Sequence, residues 1–295
     1  MFQKEYIRKL ALINMVKKSN KKKADSLSTQ KTSQAKKSLT QEVALDSLVA
    51  YMNDLLRVVD FKDDALNGLQ VDSGNHKISK VGLAVDVGYA VIQDAVKKDC
   101  DLLIAHHGLF WKGDFHPLTG KFGEKVRHLI EGGCSLYASH LPLDANFDIG
   151  NNIELARLFR LKEIERAFEH CGSLIGFIGK MPRPKTMIEV KGVLSKLKGA
   201  SRILSLPFGP KKISTVGIVS GGGSLLLPKA ADLGLDLYIT GEPKQFVYHE
   251  ARERGINAIF AGHYATETVG VIALGRKLAE RFGVKIEFLN HPTNI

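Results

Sequence analysis

The chain has 295 residues, 44% of them apolar, enough to bury one large core or two ordinary ones, which excludes a wholly disordered polypeptide. Its net charge of +11 suggests a polyanion partner until the charge is located: residues 1–40 carry eleven Lys or Arg against Glu5 and Asp25, a net of +9, leaving +2 for residues 41–295. No apolar run approaches the roughly 18 residues of a spanning helix, no secretory h-region with a cleavage site is present, and Cys100, Cys134 and Cys171 lack the close spacing of a zinc knuckle or redox pair.

These features imply a soluble body in a reducing compartment, with the cytoplasm as the expected location. The stretch 17–37 is Lys, Ser, Thr and Gln with few large apolar residues, so it cannot repay the entropy of ordering and reads as a disordered tail. A solubilising or linker role is the simplest reading of residues 1–40. Nucleic-acid contact and organelle targeting are the alternatives, and Met15 offers a second start.

Thr40 reads as the N-cap of an amphipathic helix, with Glu42 in its first turn and Val43, Leu45, Leu48, Met52, Leu55 and Val59 among its spaced apolar residues. A buried strand over 81–86, a helix over 91–98 and a second strand over 102–105 follow, the last running into His106-His107. Residues 108–120 read as a loop, 124–131 as a helix, 135–139 as a strand and 151–159 as a helix. The link 162–212 is the least legible segment, with a strand near 173–178 and a helix near 188–197. The scheme then resumes with strands over 215–219, 237–240 and 258–261, and helices over 225–233, 244–254 and 266–282. Cys100 and Cys134 sit beside apolar strands and read as small buried hydrophobes.

The second set of elements repeats the first. At an offset of 135, Ile78-Ser79-Lys80-Val81-Gly82-Leu83 lies over Ile213-Ser214-Thr215-Val216-Gly217-Ile218, and Asp101 falls on Asp236. At an offset of 123, Tyr137-Ala138-Ser139-His140 lies over Phe260-Ala261-Gly262-His263, and Asp144 over Glu267. The expected fold is α/β, with two pseudo-symmetric halves and a metal site in the cleft between them: a tail 1–40, a first half 41–160, and a linker plus second half 161–295.

Three strand-end clusters could carry chemistry. His106-His107 follows an apolar strand, and both rings can face one site only where the chain leaves the sheet. His140-x-x-x-Asp144 and His263-x-x-x-Glu267 each place an imidazole and a carboxylate within reach across one turn, although a cap or loop ion pair explains either one alone. Imidazole with carboxylate suits Zn, Mn, Fe, Co or Ni. A set this large exceeds one tetrahedral ion and suggests two, about 3.5 to 4 Å apart, as in metal-assisted hydrolysis. The loop 220–224 (SGGGS) lacks the phosphate-loop pattern and reads as a tight turn needing positive φ, with a backbone phosphate cradle as the alternative. Near the clusters, Glu242 could support a ligand, Trp111 could stack on a base or wall the site, and Lys112 and Lys244 read as solvated surface, with attraction of an anionic substrate as the alternative.

The segments 101–113 (DLLIAHHGLFWKG), 139–145 (SHLPLDA) with Gly150-Asn151-Asn152, 238–242 (YITGE) and 261–267 (AGHYATE) together resemble the NIF-three-like family, labelled GTP cyclohydrolase I type 2 homologues. The resemblance spans roughly residues 42–292, in the compact form without an inserted domain. It implies that His106, His107, Asp144, His263 and Glu267 hold two divalent transition-metal ions, with Glu267 or Asp144 bridging. It further implies homohexameric rings with the sites facing an internal cavity. His140 falls near the metals, as a group orienting a carboxylate or as a proton carrier and catalytic residue. The leading expectation is a dinuclear hydrolase in which a metal-bridged water attacks a small nucleotide-like substrate. The alternative is a metal-binding scaffold or regulator acting through its ring.

Overall fold

The computed structural model describes residues 42–113 and 117–294. The expected cap at Thr40 and the tail lie outside them. Val43–Ala44 form a short strand, β1, instead of a first helical turn, and the helix α1 runs over Leu45–Leu56. It buries Leu45, Leu48, Met52 and Leu56 along one stripe and ends at Arg57, whose φ of 53° is left-handed. Val59 is therefore outside the helix and 93% exposed.

The chain continues through β2 (Gly68–Val71), β3 (Lys77–Ile78), β4 (Lys80–Asp86), α2 (Tyr89–Lys97), β5 (Leu102–His107), α3 (Gly120–Glu131), β6 (Ser135–Ala138), α4 (Leu141–Ala145) and α5 (Asn151–Leu158). The link supplies β7 (Lys162–His170), β8 (Ser173–Lys185), α6 (Met187–Leu194) and β9 (Leu204–Pro207). Then come β10 (Ile213–Ile218), α7 (Leu227–Asp232), β11 (Leu237–Thr240), α8 (Val247–Arg254), β12 (Asn257–Phe260), α9 (His263–Phe282) and β13 (Lys285–Phe288). One sheet has the order β13-β4-β5-β6-β2 and the other β7-β8-β10-β11-β12-β9, while β1 pairs with β3. In the first, β13, β4, β5 and β6 are parallel; in the second, β10, β11 and β12 are.

The expected pattern missed the edge strands. β7 reads KEIERAFEH and is largely exposed, so it lacks a continuous apolar signal. Its hairpin with β8 turns at Cys171 and Gly172, both with positive φ (50° and 79°), which suits a tight two-residue hairpin. β5 also extends through both histidines, with Asp86 opposite His107, so the two rings leave a strand and not a loop.

The two parallel cores are built alike. Asp101 accepts hydrogen bonds from the Ser79 and Lys80 backbones (2.8 and 2.9 Å), and Asp236, at the same offset of 135, accepts them from Ser214 and Thr215 (2.7 and 2.9 Å). Val81 pairs with Leu102 as Val216 pairs with Leu237. At the third strand the register differs from the sequence overlay by one residue: Leu102 faces Ser135, whereas Leu237 faces Asn257. The structural counterpart of His140 is thus Gly262, each capping the next helix, and His263 is the first residue of α9.

The sheets also exchange helices. α9 buries Val271, Leu274 and Leu278 among Leu45, Leu48, Val81 and Leu83 of the first sheet's core, and β13 extends that sheet beside β4. Conversely, α5 buries Ile153, Leu155 and Ala156 with Val216, Leu237 and Ile259 of the second. Each core therefore draws on both sides of residue 160. Cys100 and Cys134 are buried thiols, and burial pushes their pKa values up to about 11 and about 12. No helix among the described residues is long and apolar enough to cross a membrane.

Asp101→Ala strands at least two backbone donors, so it should cost about 1 to 3 kcal/mol in urea unfolding, and Asp236→Ala a comparable amount. Losses below about 0.5 kcal/mol for both would show that these clamps are dispensable.

Candidate metal centre

The six candidate side chains lie at or just beyond the carboxyl ends of parallel strands, where open α/β sheets place their ligands. β5 ends in His106 and His107, β6 leads to His140 and Asp144, and β12 leads to His263 and Glu267. Helix α9 rises directly from Gly262, whose φ of 94° turns the chain so sharply that His263 and Glu267 share one face of the first turns.

Glu267 sits at the centre, 2% exposed. His263 Nε2 lies 3.1 Å and His106 Nε2 3.4 Å from its Oε1, and His107 Nε2 is 3.5 Å from its Oε2. Asp144 Oδ2 is 3.7 Å from His106 Nε2. The ligating atoms of His106, His107 and His140 lie within 4.8 Å of one another, as do those of His107, His263 and Glu267. All six residues singled out in the sequence thus converge.

The opposite ring nitrogens are all fixed. His106 Nδ1 donates to the Ser139 carbonyl (2.9 Å), His107 Nδ1 to Asp86 (2.8 Å), His140 Nδ1 to Asp63 (3.0 Å) and His263 Nδ1 to Glu242 (2.9 Å). A carbonyl can only accept, so the His106 proton is on Nδ1 and, in the neutral ring, Nε2 carries a lone pair. That Nε2 and Glu267 Oε2 are buried with no hydrogen-bond partner. Buried polar atoms are rarely left so, and imidazoles anchored at Nδ1 with Nε2 turned inward are the arrangement of metal-ligating histidines. The residues therefore fit divalent transition-metal ions, with no thiolate among them.

The supporting partners were only partly legible. Glu242 was singled out; Asp63 and Asp86 were not, although Asp86 ends the strand beside β5. Asp63 also accepts from the Leu141 backbone (3.0 Å). Asn151 and Asn152 brace the opposite wall. Asn151 donates to Asp144 Oδ1 (2.8 Å) while accepting from the Gly270 backbone in α9 (2.8 Å), and Asn152 accepts from Ser220 N (2.6 Å). The glycine loop does adopt positive φ, at Gly221 (60°), and a Cβ there would overlap Glu267 Oε1. Lys112 and Lys244 are exposed.

Burial opposes a charge on His106, but Asp144 and Glu267 outweigh it and push its pKa up to about 9. Burial likewise opposes His263, which Glu267 and Glu242 push up to about 10. The carboxyl of Glu267 is penalised by burial yet held well below the usual range by His107, His106 and His263.

An α/β framework with imidazoles and carboxylates meeting at its strand ends defines an α/β protein with a site suited to metal ions. The chain belongs to the Duf34/NIF3 (NGG1p interacting factor 3) family, which it matches over residues 43–295. A Halobacterium salinarum protein named GTP cyclohydrolase 1 type 2 homolog is 40% identical over 245 residues, 82% of this chain and 96% of that protein. A Deinococcus radiodurans protein of the same name is 38% identical over 254 residues, 86% and 95% of the two chains. Among solved structures, TTHA1606 from Thermus thermophilus has a TM-score of 0.79 at 42% identity, covering 86% of this chain and 100% of that one.

Two outcomes follow from this geometry. Gly221→Ala would push a methyl group onto Glu267 and strain the turn, so it should lower the melting temperature and the affinity for Mn or Zn by at least about tenfold; unchanged metal binding would place the loop elsewhere. In metal-free protein, the raised His106 and His263 values add stability that is complete below pH 6.5 and is lost as pH rises through about 9 to about 10. The depressed Glu267 value adds stability present above about pH 4.5 and lost as pH falls. Chelated protein should therefore unfold at progressively lower temperature from pH 6.5 to 10, while added metal, which needs unprotonated Nε2, protects increasingly over the same range. A protection independent of pH would contradict these assignments.

Proposed function

We propose that the chain is a hydrolase dependent on two divalent transition-metal ions and acting on a small, nucleotide-like substrate. The observation that carries this reading is the ring of inward Nε2 atoms around Glu267, each imidazole anchored behind by an oxygen acceptor. Together with Asp144, this is more donors than one tetrahedral ion uses. His106, His107, Asp144, His263 and Glu267 would hold the ions, with the Glu267 carboxylate at the centre of the imidazoles. When bound, the ions would lower the pKa of a coordinated water and neutralise charge on the leaving group.

The protein groups supply orientation and proton transfer. Asp63, held below the usual carboxylate range by His140 against the opposing effect of burial, fixes that ring so that Nε2 faces the cavity. There His140 can take a proton from an attacking nucleophile or give one to the leaving atom. Asn151 and Ser220, both donating to Asp144 Oδ1, leave Oδ2 turned toward the cluster. The name shared by the relatives points to hydrolytic opening of a purine ring, which belongs to this reaction class.

A turnover screen of nucleosides, nucleotides and phosphoesters with metal-loaded full chain tests the reading. Turnover should vanish in Glu267→Ala and fall at least about 10²-fold in His140→Ala, which should keep its metal. Metal without turnover of any compound would transfer the site to a non-catalytic scaffold. We further propose assembly into a homohexameric ring, which the resemblance of the sequence motifs to the family implies. Mass photometry should find a species near six times 32.4 kDa, and a monomer would contradict the ring.

A further inference from the structure

The cluster lines a cavity of about 300 Å³ together with the apolar side chains of Leu141, Ile175, Val219, Leu225 and Leu226, and with Trp111. The Trp111 ring meets His140 edge-on at 5.1 Å, and its Nε1 donates to the Gly108 carbonyl (3.3 Å), so the ring is fixed beside the cluster. Leu225 is 64% exposed although its neighbours on this wall, Leu141, Ile175 and Val219, are 3%, 6% and 2% exposed. A large aliphatic side chain left exposed on the lining of this cavity offers apolar surface that a ligand could cover.

Charge narrows the ligand further. Among the described residues no Lys or Arg lines this cavity, and the polar groups outside the cluster are His170 and Ser220. A triphosphate carries several negative charges, and sites built for one surround it with cationic side chains or a backbone phosphate loop. Here cationic side chains are absent among the described residues, and the glycine turn that reaches the cavity at Gly222 and Gly223 lacks the phosphate-loop pattern. Leu141 and Trp111 belong to the metal motifs, whereas the rest of the apolar wall comes from outside them: the link between the halves carries Ile175, and the loop and turn after β10 carry Val219, Leu225 and Leu226.

We propose that this wall is the specificity subsite: it takes an uncharged ring or aliphatic body of the substrate while the cluster takes one oxygen-rich head, and polyphosphate is not recognised. The assignment of the head to the cluster rests on the hydrolase reading above. The wall is defined by its own side chains.

The test uses metal-loaded full chain and two phosphonates with the same head, methylphosphonate and phenylphosphonate, measured by calorimetry. Burial of the phenyl ring should make phenylphosphonate at least about tenfold tighter. In Leu225→Asp, an exposed site where the fold tolerates change, the ratio should fall to within about twofold with metal content unchanged. GMP and GTP should bind within about threefold of each other. Equal affinity for the two phosphonates, no binding of either, or GTP more than about tenfold tighter than GMP would overturn the proposal. None of these readings requires turnover. A phenyl preference that Leu225→Asp removes, in a protein with no hydrolytic activity, would keep the subsite and reject only the hydrolase reading.

Discussion

A carboxylate 2% exposed to water, with three imidazole Nε2 atoms between 3.1 and 3.5 Å away, is the constraint around which this molecule is arranged. An ionised group so deep in protein is costly unless compensated, and Glu267 has one oxygen with no hydrogen bond at all. Protonated histidines can compensate it: Asp144 with Glu267 raises His106 to about 9, and Glu267 with Glu242 raises His263 to about 10. Divalent cations would compensate it more completely, because they would also satisfy the unpaired His106 Nε2.

The helix exchange follows from the same constraint. Glu267 comes from α9, which leaves the second sheet at β12 and packs on the first, so its N-terminal turn crosses the boundary between the cores. Helix α5 makes the reverse crossing, and its Asn151 ties Asp144 to the backbone of α9 at Gly270. Gly221 allows the β10 loop to lie against the Glu267 carboxylate with no intervening Cβ. Rigid elements from both sheets thus hold the donor atoms, which is the preorganisation a metal site needs.

The sequence shows why some of this could be read in advance. The run Leu102 to Ala105 is apolar because β5 is buried on both faces, which marks His106 and His107 as strand-end residues. The repeat at offset 135 is visible because Asp101 and Asp236 each hold the start of a neighbouring strand. Other features leave no local signature. β7 is a charged edge strand, and Asp63 lies in a segment without periodicity. The exchange of α5 and α9 is invisible because an amphipathic face looks the same whichever sheet covers it. The one-residue register difference at the third strand arises for a related reason: matching His140 with His263 aligns chemically similar residues, whereas the ladders align His140 with Gly262.

The central claim is that Glu267 and its imidazoles hold metal, and it is tested most directly by elemental analysis of full-length protein purified without chelator, alongside Glu267→Gln. The variant keeps the shape of the side chain and removes its charge. About two transition-metal ions per chain in the parent and fewer than one in the variant are predicted. Metal-free parent protein that stays metal-free when incubated with Zn or Mn, or a variant that retains the full complement, would contradict the account.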